Sequence, residues 1–170
     1  MEQLVKNINI MLVWLVIISC NVGTNKSAEQ LWEEAQQHRV KENLKDSITG
    51  FKEIISRYPG HDLSAKAQFQ IADIYLNDTK DFEYAVNEFK KVLDKHSNHE
   101  NAKKSLFMIA YIYNNYLDAY SDAIIHYNLF IEKYPDDELI PSVQYELDGL
   151  KVIQSTIDSL NSTLNIKSNI

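Results

Sequence analysis

Between residue 28 and about residue 155 the chain repeats itself. Displaced by 38 residues, Ala72 meets Ala110, Tyr75 meets Tyr113, Ala85 meets Ala123, Phe82 meets Tyr120 and Phe89 meets Tyr127. Arg57-Tyr58-Pro59, Lys95-His96-Ser97 and Lys133-Tyr134-Pro135 fall at the same step. Upstream, Leu44, Ser47 and Phe51 answer Phe82, Ala85 and Phe89. Trp32 and Ala35 meet Phe69 and Ala72 one residue out of phase, which predicts a shorter turn in the first unit. After Pro135 a half-unit begins, with Tyr145 and Leu147 answering Phe107 and Ile109. Such a period describes a stack of small units, none of which can bury its apolar stripe alone.

Within a unit the periodicity is helical. Phe69, Ala72, Tyr75 and Leu76 recur at spacings of three and four, as do Ala85, Val86, Phe89, Val92 and Leu93. The pattern predicts helices near 28–39, 43–57, 63–77, 82–96, 99–116, 119–133 and 140–160. Ser27 with Gln30 forms a capping box. Asp62, Asp81 and Asp118 mark helix starts, Asp136 precedes the last helix, and Pro141 suits its first turn. Residues 161–170 read as a frayed tail. Four Gly and three Pro in 170 residues are too few for the tight turns of a sandwich or barrel. The expected fold is all-α: a right-handed superhelical stack of hairpins, with repeats near 28–61, 62–98 and 99–138 and a capping helix at 140–160. In that stack Ala35, Ala72 and Ala110 let the two helices of a unit approach. Ser47, Ala85 and Ala123 do the same for the second helix against the next unit, and Phe51, Phe89 and Tyr127 fill the space between.

These residues resemble the tetratricopeptide repeat. Unit one carries its pattern at Leu31, Ala35, Leu44, Phe51 and Pro59. Unit two carries it at Ile71, Ala72, Tyr75, Phe82, Ala85 and Phe89, and unit three at Ile109, Ala110, Tyr113, Tyr120, Ala123, Tyr127 and Pro135. The resemblance implies a binding scaffold whose first helices line a concave side.

The amino-terminal residues read as an address. Ile8–Ile18 is an apolar run broken by Asn9, too short for a bilayer-spanning helix of about 20 residues and suited to a secretory leader. It ends in Ile17-Ile18-Ser19-Cys20, which resembles the lipobox of bacterial lipoproteins. That resemblance implies a signal peptide at 1–19, an acylated Cys20 and a flexible tether at 20–27. The other reading is an uncleaved hydrophobic anchor with a chance Cys. Asn21 stands where the inner-membrane retention signal of enteric bacteria has Asp, which favours the outer membrane. The expected location is the bacterial cell envelope, lipid-anchored at the outer membrane and facing the periplasm.

The long unit adds residues after Tyr58-Pro59 and Tyr134-Pro135, and 67–75 reads Ala-x-Phe-x-Ile-Ala-x-Ile-Tyr. This variant resembles the repeats of the BamD-type outer-membrane assembly lipoproteins. It is also similar to the carboxy-terminal domain of the periplasmic coordinator of the Tol–Pal system.

A net charge of −7 argues against nucleic acid as a partner. The doublets Lys90-Lys91 and Lys103-Lys104 sit among acids and read as solvated helix faces. One Cys forms neither an internal disulfide nor a CxxC site. His96, His99 and Glu100 fall in an inter-unit loop without a third fixed ligand, so no metal or other cofactor is expected. His38, His61 and His126 are scattered, no nucleophile stands beside a base, and no Gly-rich phosphate loop is present, so no enzymatic activity is expected.

What remains is a surface. Its candidate groove residues are Trp32, Gln36, Lys66, Phe69, Asp73, Lys104, Phe107, Tyr111, Asn114 and Tyr145. Trp32, Phe69, Phe107 and Tyr145 are equivalent positions in successive units. They are either inter-repeat core or an aromatic ladder gripping an extended peptide. Where some tetratricopeptide proteins grip a peptide carboxylate, this chain has Trp32, Gln36, Gln70, Lys104 and Met108. Only Lys104 fits, so that activity is not expected. The expected role is a membrane-anchored adaptor for envelope proteins or their peptide segments, in outer-membrane protein assembly. The alternative is a periplasmic accessory of the Tol–Pal system or of cell-wall maintenance.

Overall fold

Each helix starts and stops where local chemistry supplies a partner for its end groups. A computed structural model describes residues 25–168, with side chains to 164. The leader at 1–19 and Cys20 lie outside the described residues. The helices are α1 (Ala28–Val40), α2 (Leu44–Arg57), α3 (Asp62–Asp73), α4 (Phe82–Lys95), α5 (Glu100–Asn115), α6 (Tyr120–Lys133) and α7 (Ile140–Ser168). A π-helical turn, Ile74–Asp78, continues α3. There is no strand among the described residues.

The caps keep the period of the sequence. Ser27 Oγ accepts from the Gln30 N–H at 3.3 Å, and Gln30 Oε1 accepts from the Ser27 N–H at 2.9 Å. In the turns between units, His61, His99 and Asp137 each accept from the N–H two residues on: Leu63 at 3.2 Å, Asn101 at 3.0 Å and Leu139 at 2.9 Å. Asp62 is therefore the first helical residue of α3, and His61 is its cap. Asp81 caps α4, accepting from the Tyr84 N–H at 3.3 Å. At α6 the start falls one residue later than Asp118 suggests. Asp118 occupies the left-handed region at φ 49°, and Ala119 holds the cap without a side-chain acceptor. Glu42 (φ 59°) and Lys80 (φ 57°) are its equivalents, so every hairpin reverses through one left-handed residue.

The phase slip in the first unit has a backbone cause. Asn43 N–H reaches His38 O at 2.9 Å, five residues back. Its equivalents, Asp81 and Ala119, reach Tyr75 O at 2.8 Å and Tyr113 O at 2.9 Å, six residues back. The added residue is taken up by a widened last turn, where Thr79 N–H bonds Ile74 O at 3.1 Å and Leu117 N–H bonds Ile112 O at 3.2 Å. Helix α3 accordingly ends at Asp73 and passes into the π turn instead of running regularly to 77.

Consecutive helices pack on one another from α1 to α7, and the first helices of neighbouring units also touch, α1 with α3 and α3 with α5. First helices thus form the inner layer. Ala35, Ala72, Ala110, Ser47, Ala85, Ala123, Phe51, Phe89 and Tyr127, the small and large positions read from the period, are all fully buried. A Cβ on Gly50 would stand 3.0 Å from Ala35 Cβ, so the missing side chain lets α2 approach α1 closely there.

Two expectations about the ends are corrected. Residues 25–27 are not a free tether: the Tyr58 hydroxyl donates to Lys26 O at 2.6 Å, Arg57 donates to Asn25, and Lys26 Nζ lies 2.6 Å from Glu34. The tail is not frayed from 161, because α7 runs to Ser168. No Gly or Pro follows Gly149, so nothing in the chain stops helix propagation. Val143, Leu147 and Leu150 are buried, whereas Val152, Ile153, Leu160 and Leu164 are exposed.

Candidate partner-binding face

The four equivalent aromatics divide between the two readings left open by the sequence. Trp32, Phe69 and Phe107 are half-buried. Each meets a large aromatic of its own unit's second helix edge-on: Trp32 on Phe51 at 5.2 Å, Phe69 on Phe89 at 5.2 Å, Phe107 on Tyr127 at 6.1 Å. One side of each ring belongs to the core, and the other side reaches the surface of the inner layer. Tyr145 is 80% exposed, and among the described residues no second helix follows α7 to supply the matching ring.

The polar candidates are mostly engaged in holding units together. Asp73 accepts from Arg39 Nη2 at 2.6 Å and from Asn77 at 2.7 Å. Arg39, which sequence reasoning passed over, also donates to Gln70 at 2.8 Å and to Asp78 at 2.8 Å. Its planar fork is suited to binding several acceptors at once. The signal was a cation in the last turn of α1 facing an acid-rich end of the next first helix. Two interfaces further on, Asn114 donates to Glu146 at 2.9 Å, at positions equivalent to Arg39 and Gln70. Lys66 turns back onto Asp62 at 2.6 Å, and that carboxylate raises its pKa. Lys104 is exposed, 3.7 Å from Glu100. Gln36 is half-buried on α1.

Phe107 and Tyr111 come together, ring over ring at 6.3 Å. Tyr116 extends the pair, edge-on to Tyr111 at 5.9 Å and stacked on Phe82 at 4.3 Å. Four aromatic rings therefore run from the inner layer to the hairpin edge. Tyr116 is 45% exposed, and burial, then Tyr116, pushes the Tyr111 hydroxyl pKa up. A cleft of about 380 Å³ is lined by Asn114 of α5 and by Tyr145, Glu146, Gly149, Val152 and Ile153 of α7. Trp32 and Gln36 belong to the far end of the stack and do not join it.

The lysine doublets are not simply solvated. Lys90 Nζ donates to the Tyr113 hydroxyl at 3.0 Å, and Lys103 pairs with Asp137 in the next turn. In the His96–His99 turn, both His99 ring nitrogens are engaged. Nδ1 accepts from the Asn101 N–H, so Nε2 carries the proton that points at Asp62, 3.0 Å away. Burial pushes the His96 pKa down. Among the described residues no group of three His, Cys, Asp or Glu could hold a metal ion, and no helix is long and apolar enough to cross a membrane.

Two family profiles match the chain. One, described as outer membrane lipoprotein, matches residues 24–113. The other, described as tetratricopeptide repeat, matches residues 104–137. Among curated proteins none matches.

Proposed function

Since the chain belongs to the outer membrane lipoprotein family, as a BamD-like member built from tetratricopeptide repeats, we propose that it is a non-enzymatic adaptor. It is held at the outer membrane through Cys20 and binds other envelope proteins in outer-membrane protein assembly. The observation that carries this reading is the continuous run Phe107, Tyr111, Tyr116, Phe82. Its rings brace one another while Phe82, Phe107 and Tyr111 stay half-buried and Tyr116 is exposed, and aromatic side chains held in that way are the usual anchors of protein interfaces. Tyr111 is the best single probe, because it contributes to the run without sitting in the fully buried core.

The test is capture of crosslinked partners from native membranes, followed by titration of the recovered partner. Tyr111→Ala should weaken binding by about 1–2 kcal/mol, roughly a tenfold rise in Kd, with an unchanged circular dichroism melt. A folded Tyr111→Ala, Lys104→Glu double variant that still recovers every partner at native affinity would move the interface away from this face.

A further inference from the structure

We propose that the edge of the stack formed by the inter-unit turns is the edge that faces the lipid surface. The inference rests on acylation of Cys20, and so on the anchored reading above.

The turns 58–61, 96–99 and 134–139 lie at one edge, where each second helix ends and the next first helix begins. The hairpin turns around Glu42, Lys80 and Asp118 lie at the other. The chain enters α1 at the first edge, and the contacts at its entry fix the point of departure. Lys26 O is held by the Tyr58 hydroxyl and Asn25 by Arg57, both at the end of α2. Cys20 and Asn25 are five residue steps apart. In any conformation those steps span at most about 18 Å. Helix α1, with 13 residues, is about 20 Å long. An acylated Cys20 thus brings the inter-unit turn of unit one to the headgroups, with the hairpin edge a helix length beyond.

The tether alone would allow the stack to stand on its first unit instead. That end presents a groove bordered by Glu34, Asp46 and Glu53 together with Lys26, which is paired with Glu34, and His38, so its carboxylates outnumber its free cations and match anionic headgroups poorly. The turn edge places one cation at each second-helix end, Arg57, Lys95 and Lys133. Lys95 and Lys133 form no ion pair among the described residues. The same edge carries Asp62, Glu100, Asp136, Asp137 and Glu138, but Asp62 is paired with Lys66 and His99, Glu100 with Lys104 and Asp137 with Lys103. The tether therefore supplies the attachment, and the pairing of these acids leaves the edge less repulsive to anionic headgroups than the groove of the first unit.

The experiment uses the full-length acylated protein in vesicles of phosphatidylethanolamine and phosphatidylglycerol, with a fraction of nitroxide-headgroup lipid. Lipid occupies the single native thiol, so an introduced cysteine can be labelled alone with a fluorophore. Labels at Gly60→Cys and Asp136→Cys sample the turn edge. Labels at Lys41→Cys and Ser121→Cys sample the hairpin edge. The expected result is strong quenching at 60 and 136 and little at 41 and 121. Equal quenching at all four sites, the reverse order, or quenching at 60 without 136 would overturn the orientation while leaving the anchor intact. Intact mass without acyl chains on Cys20, or a Cys20→Ala protein that binds the vesicles as well as the native one, would overturn the anchor and the orientation with it.

Discussion

Ala119 holds the cap of α6 with a methyl group where its equivalent, Asp81, accepts a hydrogen bond from the backbone. The N–H groups of the first turn of α6 are left to water on that side. Ala119→Asp copies the arrangement of the preceding unit. It should raise stability by about 0.5–2 kcal/mol in urea denaturation, with the m-value unchanged. At this scale the sequence was readable where a residue acts through its own backbone, as the Ser27–Gln30 box does. It was misleading where an acid stands next to the cap position instead of on it. Asp118 stands beside the right place, but the left-handed turn residue required there displaces it from the cap. Arg39 was missed for a different reason: its three acceptors, Gln70, Asp73 and Asp78, are 31 to 39 residues away along the chain. Local periodicity contains no information about contacts at that distance.

Helix pairing was the most legible level. Period, small residues and aromatics all describe the same interface, and all nine marked positions are buried. Ala85 and Ala123 sit where second helices press against their neighbours, both with no exposed surface. Ala85→Leu and Ala123→Leu should each lose about 1–3 kcal/mol by overpacking, read as a lower urea midpoint. Lys52→Leu, on the exposed face of α2, is the matched control and should change stability little. Lys90 would be a poor control, since its ammonium reaches over Tyr113. The candidate face was legible only in part. Its aromatics follow from the repeat, but Tyr116 belongs to it through stacking on Phe82, at the start of the preceding helix, and no spacing rule connects those two residues.

Across the whole molecule, the inter-unit turns repeat one device. The capping side chain of each turn also bonds the first helix of the unit before it: His61 with Glu29, His99 with Asp62, Asp137 with Lys103. In the last, Lys103 and then the Leu139 N–H hold the Asp137 carboxyl below its usual pKa. A depressed carboxylate pKa stabilises the fold above the ordinary value of about 3.9, and that contribution disappears as pH falls through the lowered pKa. Asp137→Asn should therefore melt at a lower temperature at neutral pH. The difference from the native protein should narrow on acidification below about pH 3.9. Melting curves at a series of pH values check it, and a constant difference down to pH 2 would count against the device.

Helix α7 departs from this series at a single side chain. Where Ala35, Ala72 and Ala110 lie flush against a partner, the same register on α7 holds Asp148, exposed and 3.6 Å from Lys151. A further hairpin laid on α7 in the usual way would have to bury that carboxylate at its point of closest approach. Asp148 therefore acts on the array as a terminator acts on a growing polymer. Lengthening the protein by duplicating a unit at this end would first require replacing that residue by a small one.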